Sequence, residues 1–149
     1  MKSTLVASLL ALGTALASLA ESPWLTDFEA AKKVAAQEKK LLLLDFTGSD
    51  WCSWCIKMKK ETLDQAAFKD YAKTNLVLVE VDFPQRKKLP AAIAKQNDGL
   101  QGKYKVDGFP CYVLLDASGK EIGRQPGYLK GGPEAFIRKL DSFKARAGK

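Results

Sequence analysis

Two cysteines two residues apart, in Trp51-Cys52-Ser53-Trp54-Cys55, constrain this chain more than any other stretch. They follow Leu41 to Phe46, an apolar run broken only by Asp45. Such near-continuous hydrophobicity is expected of a central strand covered on both faces. A short loop, Thr47-Gly48-Ser49-Asp50, delivers the pair to the start of a helix-like segment. Free backbone N–H groups and the positive end of the helix dipole favour thiolate over thiol at that place, and the thiolate is the nucleophile. Cys55 falls one turn further in, on the side that faces the core. The arrangement suits a thiol pair that cycles between dithiol and disulfide: Cys52 attacks a partner disulfide, and Cys55 resolves the mixed disulfide. A static disulfide is the main alternative, although a bridge across so short a loop removes little unfolded-state entropy. Half of a zinc site is another. The chain has no histidine and only Cys111 besides the pair, so carboxylates would have to complete four ligands.

The N-terminus carries a different message. Lys2 precedes Thr4 to Leu19, rich in Leu, Ala and Val without a charge, and small residues stand at Ala15 with Ala17 and at Ser18 with Ala20. This pattern predicts a secretory signal peptide over residues 1–20, cut after Ala20, with an uncleaved anchor as the alternative. The run is short for a membrane span. Export to the periplasm or the extracellular space puts the mature chain, residues 21–149, where disulfides persist. That length fits one domain with its own core. The formal charge of +7 is spread through helix-like segments, clustering only at Arg86-Lys87-Lys88 and in the tail. It implies solubility and weak steering of acidic partners, with no nucleic-acid partner.

Helical spacing of Phe28, Ala31, Val34 and Ala35 follows a capping-box pattern, Thr26 with Glu29, and predicts a helix to about Lys39. A helix from Cys52 to about Leu63 is followed by another that Asp64 caps and that buries Phe68 and Tyr71. Leu76 to Phe83 reads as a second central strand. Pro84 to Lys88 forms a basic turn, and Pro90 opens a helix to about Gln96, ended or bent by Asn97-Asp98-Gly99. Cys111 to Leu115 and Lys120 to Arg124 form a hairpin about Asp116-Ala117-Ser118-Gly119. Gly132-Pro133-Glu134 opens a last amphipathic helix. The order predicts an α/β fold, a central mixed sheet with helices on both faces.

With these residues in place, the mature chain resembles the thioredoxin superfamily over nearly its whole length, and within it the periplasmic thiol:disulfide interchange proteins. The resemblance rests on Trp51-Cys52-Ser53-Trp54-Cys55, on Asp45 in the preceding strand, on Gly108-Phe109-Pro110 before the hairpin, and on Gly127 and the C-terminal helix. It implies the thioredoxin fold, with Cys52 as the attacking and Cys55 as the resolving cysteine. It also implies a cis Phe109–Pro110 bond facing the pair and offering backbone to an extended substrate. Asp45 would be the buried acid that relays the proton of Cys55, its pKa raised by burial. A simple hydrogen bond to a neighbouring group is the alternative role. Trp51 and Trp54 flank the thiols as an apolar contact surface, with packing against the fold as the alternative and favoured role of Trp51. Cys111, directly after Pro110, is either a third redox thiol or a buried apolar side chain.

Several features depart from the family. The interval from Asp45 to Cys52 holds one residue more than in simple thioredoxins, the dipeptide between the cysteines is Ser53-Trp54, and the segment from Pro84 to Gln101 is long. Lys60 lies where thioredoxins often kink the helix with proline, and Glu80 lies where they often carry lysine near the buried acid. The missing histidine bears on direction. About 150 mV, roughly 7 kcal/mol for two electrons, separates thioredoxin from a strong oxidant, and a helix dipole supplies only about 0.3–2 kcal/mol. The expectation is an exported thiol–disulfide oxidoreductase of reducing to intermediate potential, monomeric, using no cofactor or metal. It would act on protein thiols and disulfides and draw electrons from a membrane donor. A disulfide isomerase and a thioredoxin-fold binding or chaperone module with a non-catalytic disulfide are the alternatives.

Overall fold

The computed structural model describes residues 22–148. The expected signal peptide, residues 1–20, lies outside them. Five strands, β1 (Trp24–Leu25), β2 (Leu41–Thr47), β3 (Leu76–Asp82), β4 (Cys111–Leu115) and β5 (Glu121–Pro126), form one sheet in the order β1-β3-β2-β4-β5. β1 and β2 lie parallel to β3, whereas β4 runs antiparallel to both β2 and β5. The helices are α1 (Phe28–Glu38), α2 (Ser53–Met58), α3 (Ala66–Asn75), α4 (Ala91–Lys103) and α5 (Gly132–Ala147). This is the thioredoxin fold that the resemblance implies.

Alternation along the strands divides the core between the two sheet faces. Leu42, Leu44 and Phe46 join Val77, Val79, Val81, Cys111 and Val113 against Phe28, Ala31 and Ala35 of α1 and Leu100 of α4. On the other face, Leu43, Leu78, Tyr112 and Leu114 meet Met58 of α2, Phe68 of α3 and Phe136, Leu140 and Phe143 of α5. β2 is central and covered on both sides, so its run tolerates only one charge. That charge, Asp45, sits on the second face with Leu43, beneath the helix that carries the cysteines.

Four local expectations are corrected. α1 is capped by Asp27, whose carboxylate accepts from the Ala30 N–H at 2.9 Å, not by Thr26, which stands one residue too early. Among the described residues α3 has no side-chain cap: its N-cap is Gln65, and Asp64, one residue earlier, pairs with Lys59 at 2.7 Å. Asn97 does not end α4. Its buried amide donates to the Asp82 carbonyl at 2.9 Å, and the helix continues to Lys103. The helix from Cys52 to Leu63 changes pitch midway, α2 passing into a π-helical turn at Lys59–Leu63. The short β1 had no detectable pattern, since two residues carry no periodicity.

Candidate active site

Cys52 and Cys55 are joined as a disulfide at the start of α2, with both side chains buried at 7% and 3% exposure. Cys52 is the N-cap, and its Sγ accepts from the Cys55 N–H at 3.2 Å. One of the otherwise orphaned N–H groups of the helix start is therefore aimed at the sulfur where thiolate charge would develop. Among the described residues, Lys57 lies near the rings of Trp54 and Tyr128, at 5.3 and 5.0 Å, and Lys59 is paired with Asp64. Each of these two lysines thus has a partner other than the sulfurs.

The loop before Cys52 is clasped to the segment after β3. Asp82, buried at the end of β3, accepts from the Ser49 N–H at 2.9 Å and the Ser49 hydroxyl at 2.6 Å. The carboxylate of Asp50 accepts from the backbone N–H groups of Gln85 and Arg86 at 2.9 and 2.7 Å, which holds its pKa below the usual range. Trp51 Nε1 donates to the Phe83 carbonyl at 2.7 Å. Gly48 makes room for this clasp. Its carbonyl accepts from Cys52, and the Trp51 ring lies so close over it that a Cβ there would fall 2.4 Å from a ring carbon. The basic turn is thus the outer half of the clasp, with Lys87 reaching Asp82 at 3.0 Å. None of these long-range partners was legible in the sequence, because the pairs stand more than thirty residues apart and use common loop residues.

The Phe109–Pro110 bond is cis, and the Pro110 carbonyl accepts from the Gly127 N–H at 2.8 Å. Pro110 is buried and Phe109 half-buried. Phe109 stacks on Phe83, with centroids 5.1 Å apart, and meets the Trp51 ring edge-on at 6.1 Å. Trp54 stands apart from this group. It is 55% exposed and packs against Tyr128 at 5.3 Å, whose hydroxyl donates to Glu61 at 2.5 Å. The sequence-predicted contact residues therefore fall into two aromatic groups, Trp51 with Phe109 and Trp54 with Tyr128. Tyr128, Glu61 and Phe83 were not anticipated.

Asp45 is buried, and its Oδ1 has no hydrogen-bond partner. Burial, then the nearby Glu80 carboxylate, pushes its pKa up to about 8, with Lys59 opposing and Asp82 adding to the rise. The group is therefore mostly protonated at neutral pH, which lowers the cost of enclosing it. Cys111 lies in the core of the opposite face, against α1 and α4, and burial raises its pKa. It is a reduced, buried cysteine. No cluster of three or more potential metal ligands occurs among the described residues.

Residues 28–144 match the family model described as a thioredoxin-like domain. A curated relative, "Disulfide bond reductase DsbH" of Chlamydia pneumoniae, is 45% identical over 106 residues, covering 71% of this chain and 63% of its own. "Thiol:disulfide interchange protein DsbD" of Actinobacillus pleuropneumoniae serotype 5b (strain L20) is 32% identical over 105 residues, covering 68% of this chain and 16% of its own. The chain thus spans less than two thirds of the length of these relatives. The solved structure "DsbH Oxidoreductase" superposes with a TM-score of 0.76 at 42% identity, covering 80% of this chain and 82% of that one.

Proposed function

Since the chain belongs to the thioredoxin-like domain family over residues 28–144, we propose that it is an exported thiol–disulfide oxidoreductase that reduces or exchanges protein disulfides through Cys52 and Cys55. The observation that carries this reading is the disulfide at the N-terminus of α2, its Cys52 sulfur meeting the Cys55 N–H. Cys52 is the nucleophile: its thiolate attacks one sulfur of a partner disulfide and expels the other as thiolate. Cys55 then attacks Cys52, closes the internal disulfide and releases the partner's remaining sulfur. The partner gains two electrons and the pair loses two.

Asp45 takes the proton of Cys55 in that second step and returns it when a donor reopens the disulfide. Its burial on the face beneath α2 and its raised pKa support the role. Phe109 and Pro110 form one wall of the substrate site, and Trp51 and Trp54 the apolar contacts beside the thiols. The N-terminal 1–20 pattern supports export to a compartment where a membrane donor of electrons keeps the pair reduced, the chain acting as a monomer. The relative named a disulfide bond reductase supports the reductive direction.

The test is an assay in both directions. The reduced protein should reduce the interchain disulfides of a soluble protein substrate with turnover when a dithiol donor is supplied. The oxidised protein should introduce few disulfides into a reduced, unfolded protein. Fast oxidation with no reductase activity would reverse the assigned direction. Retained partner binding with neither activity would leave only a binding module.

A further inference from the structure

One acid near the site has no part in the chemistry above. Glu80 on β3 is the register partner of Asp45 on β2. In-register neighbours on adjacent strands, roughly 4.8 Å apart, project from the same sheet face, and here that face is the one covered by α2 and its π-helical turn. Resting on the relay reading of Asp45, we propose that Glu80 is a positioning residue for the proton exchanged between Asp45 and Cys55. It acts through Asp45 and does not touch the sulfurs.

Three carboxyl groups share this side of the strands, and only one is committed elsewhere. Asp82 is held by Ser49 and Lys87 and fixes the loop. Asp45 is enclosed, with Oδ1 unpartnered. Glu80 is half-buried and has no comparable clamp among the described residues. The cations that face the two acids are Lys59 from the π-helical turn and Lys87 from the basic turn, and each already serves another carboxylate, Asp64 and Asp82 respectively. From β4, Tyr112 is the register partner of Asp45 on its other side. Burial keeps both the Tyr112 hydroxyl and the Cys111 thiol protonated. Glu80 itself is pushed up by burial and by Asp82, with Lys87 and Lys59 opposing.

A negative Glu80 beside Asp45 makes the second ionisation harder, so the pair holds a proton through neutral pH. That proton is needed in the disulfide form. When the thiolate of a dithiol donor attacks Cys52, the Cys52–Cys55 bond breaks, its electron pair leaves on the Cys55 sulfur, and the proton of Asp45 passes to that sulfur. The Asp45 carboxylate left behind is then the base that removes the proton when Cys55 attacks the next mixed disulfide. Glu80 thus adds to burial in raising the pH at which Asp45 changes from acid to base.

Carbon-detected NMR titration of the Asp45 carboxyl in the oxidised protein reads this directly. It is paired with the pH profile for reduction of the disulfide by a small dithiol, corrected for the ionisation of the dithiol. Glu80→Gln should move both midpoints to lower pH, Glu80→Lys should move them further, and Asp45→Asn should remove the limb from the rate profile. If both Glu80 variants leave the Asp45 midpoint in place while Asp45→Asn removes the limb, the role of Glu80 is overturned and the relay stands. If Asp45→Asn leaves the profile intact, the relay fails and the role of Glu80 with it. Lowered thermal stability of the Glu80 variants with unmoved midpoints would make the residue merely structural.

Discussion

Replacing Cys55 with serine is expected to convert this protein from a turnover catalyst into a covalent trap. In the variant, Cys52 keeps its place at the N-terminus of α2 and still attacks a partner disulfide. The hydroxyl at position 55 cannot close the second sulfur–sulfur bond, so mixed disulfides through Cys52 accumulate. They should be visible as reducible adducts on gels and by mass spectrometry, and multiple-turnover reductase activity should fall to background. Cys52→Ser should reach the same background with no adducts, because Cys52 caps the helix start whereas Cys55 lies one turn inside α2 on its core side, where a partner cannot readily approach it. Equal losses with adducts in both variants would contradict the division of labour between the sulfurs. Activity surviving Cys52→Ser would contradict the mechanism altogether.

The largest effect on stability is expected at Phe136, far from the thiols. Its side chain is fully buried on α5 and contacts Phe68 of α3 and Tyr112 of β4, with ring centroids 5.7 and 5.0 Å apart. It therefore joins two helices to β4, the strand beside the central one. Phe136→Ala removes a large buried ring and leaves a cavity, a change that costs about 3–5 kcal/mol out of a typical total of about 5–15 kcal/mol. Urea denaturation of the oxidised protein should show a much lower midpoint with an unchanged m value. Trp54→Ala is the matched contrast. Trp54 is 55% exposed and packs chiefly on Tyr128, so its loss should leave the midpoint close to that of the parent while weakening substrate capture. A comparable destabilisation by the two substitutions would contradict the placement of the core.

The parts of this molecule legible in the sequence are those whose signals are local. The apolar run of β2, the cysteine pair behind it, the hairpin about Gly119 and the amphipathic α5 each declare themselves within a dozen residues. Asp45 is conspicuous because a lone acid inside such a run needs a reason to be there. What escaped was set by distant partners. Asp82 reads as an ordinary strand end until Ser49 and Lys87 are seen upon it, and Asp50 reads as a loop residue until it is found binding the backbone at Gln85 and Arg86. Asn97 looked like a helix breaker, yet tertiary pairing with the Asp82 carbonyl overrides its local preference. The π-helical turn arises where α2 must bring Met58, Thr62 and Leu63 inward together, a packing demand that helical spacing does not announce.

The clasp gives physical content to the two departures from simple thioredoxins. The extra residue before Cys52 and the long segment after β3 hold each other, through Ser49 to Asp82, Asp50 to Gln85 and Arg86, and Trp51 to Phe83. These bonds tie down the loop that presents Cys52 at the helix start.

The central claim, a thiol pair poised for reduction, is tested most directly by the Cys52–Cys55 reduction potential. It is read from tryptophan fluorescence or thiol labelling after equilibration with graded dithiol and disulfide mixtures. The environment of the pair contains no histidine, Lys57 and Lys59 are engaged elsewhere, and one N–H, that of Cys55, meets the Cys52 sulfur. Among the described residues, nothing beside the pair supplies the several kcal/mol by which a strong oxidant stabilises its reduced form. The expected value lies toward that of thioredoxin, about −270 mV, and a value near about −120 mV, as in a strong oxidant, would contradict it.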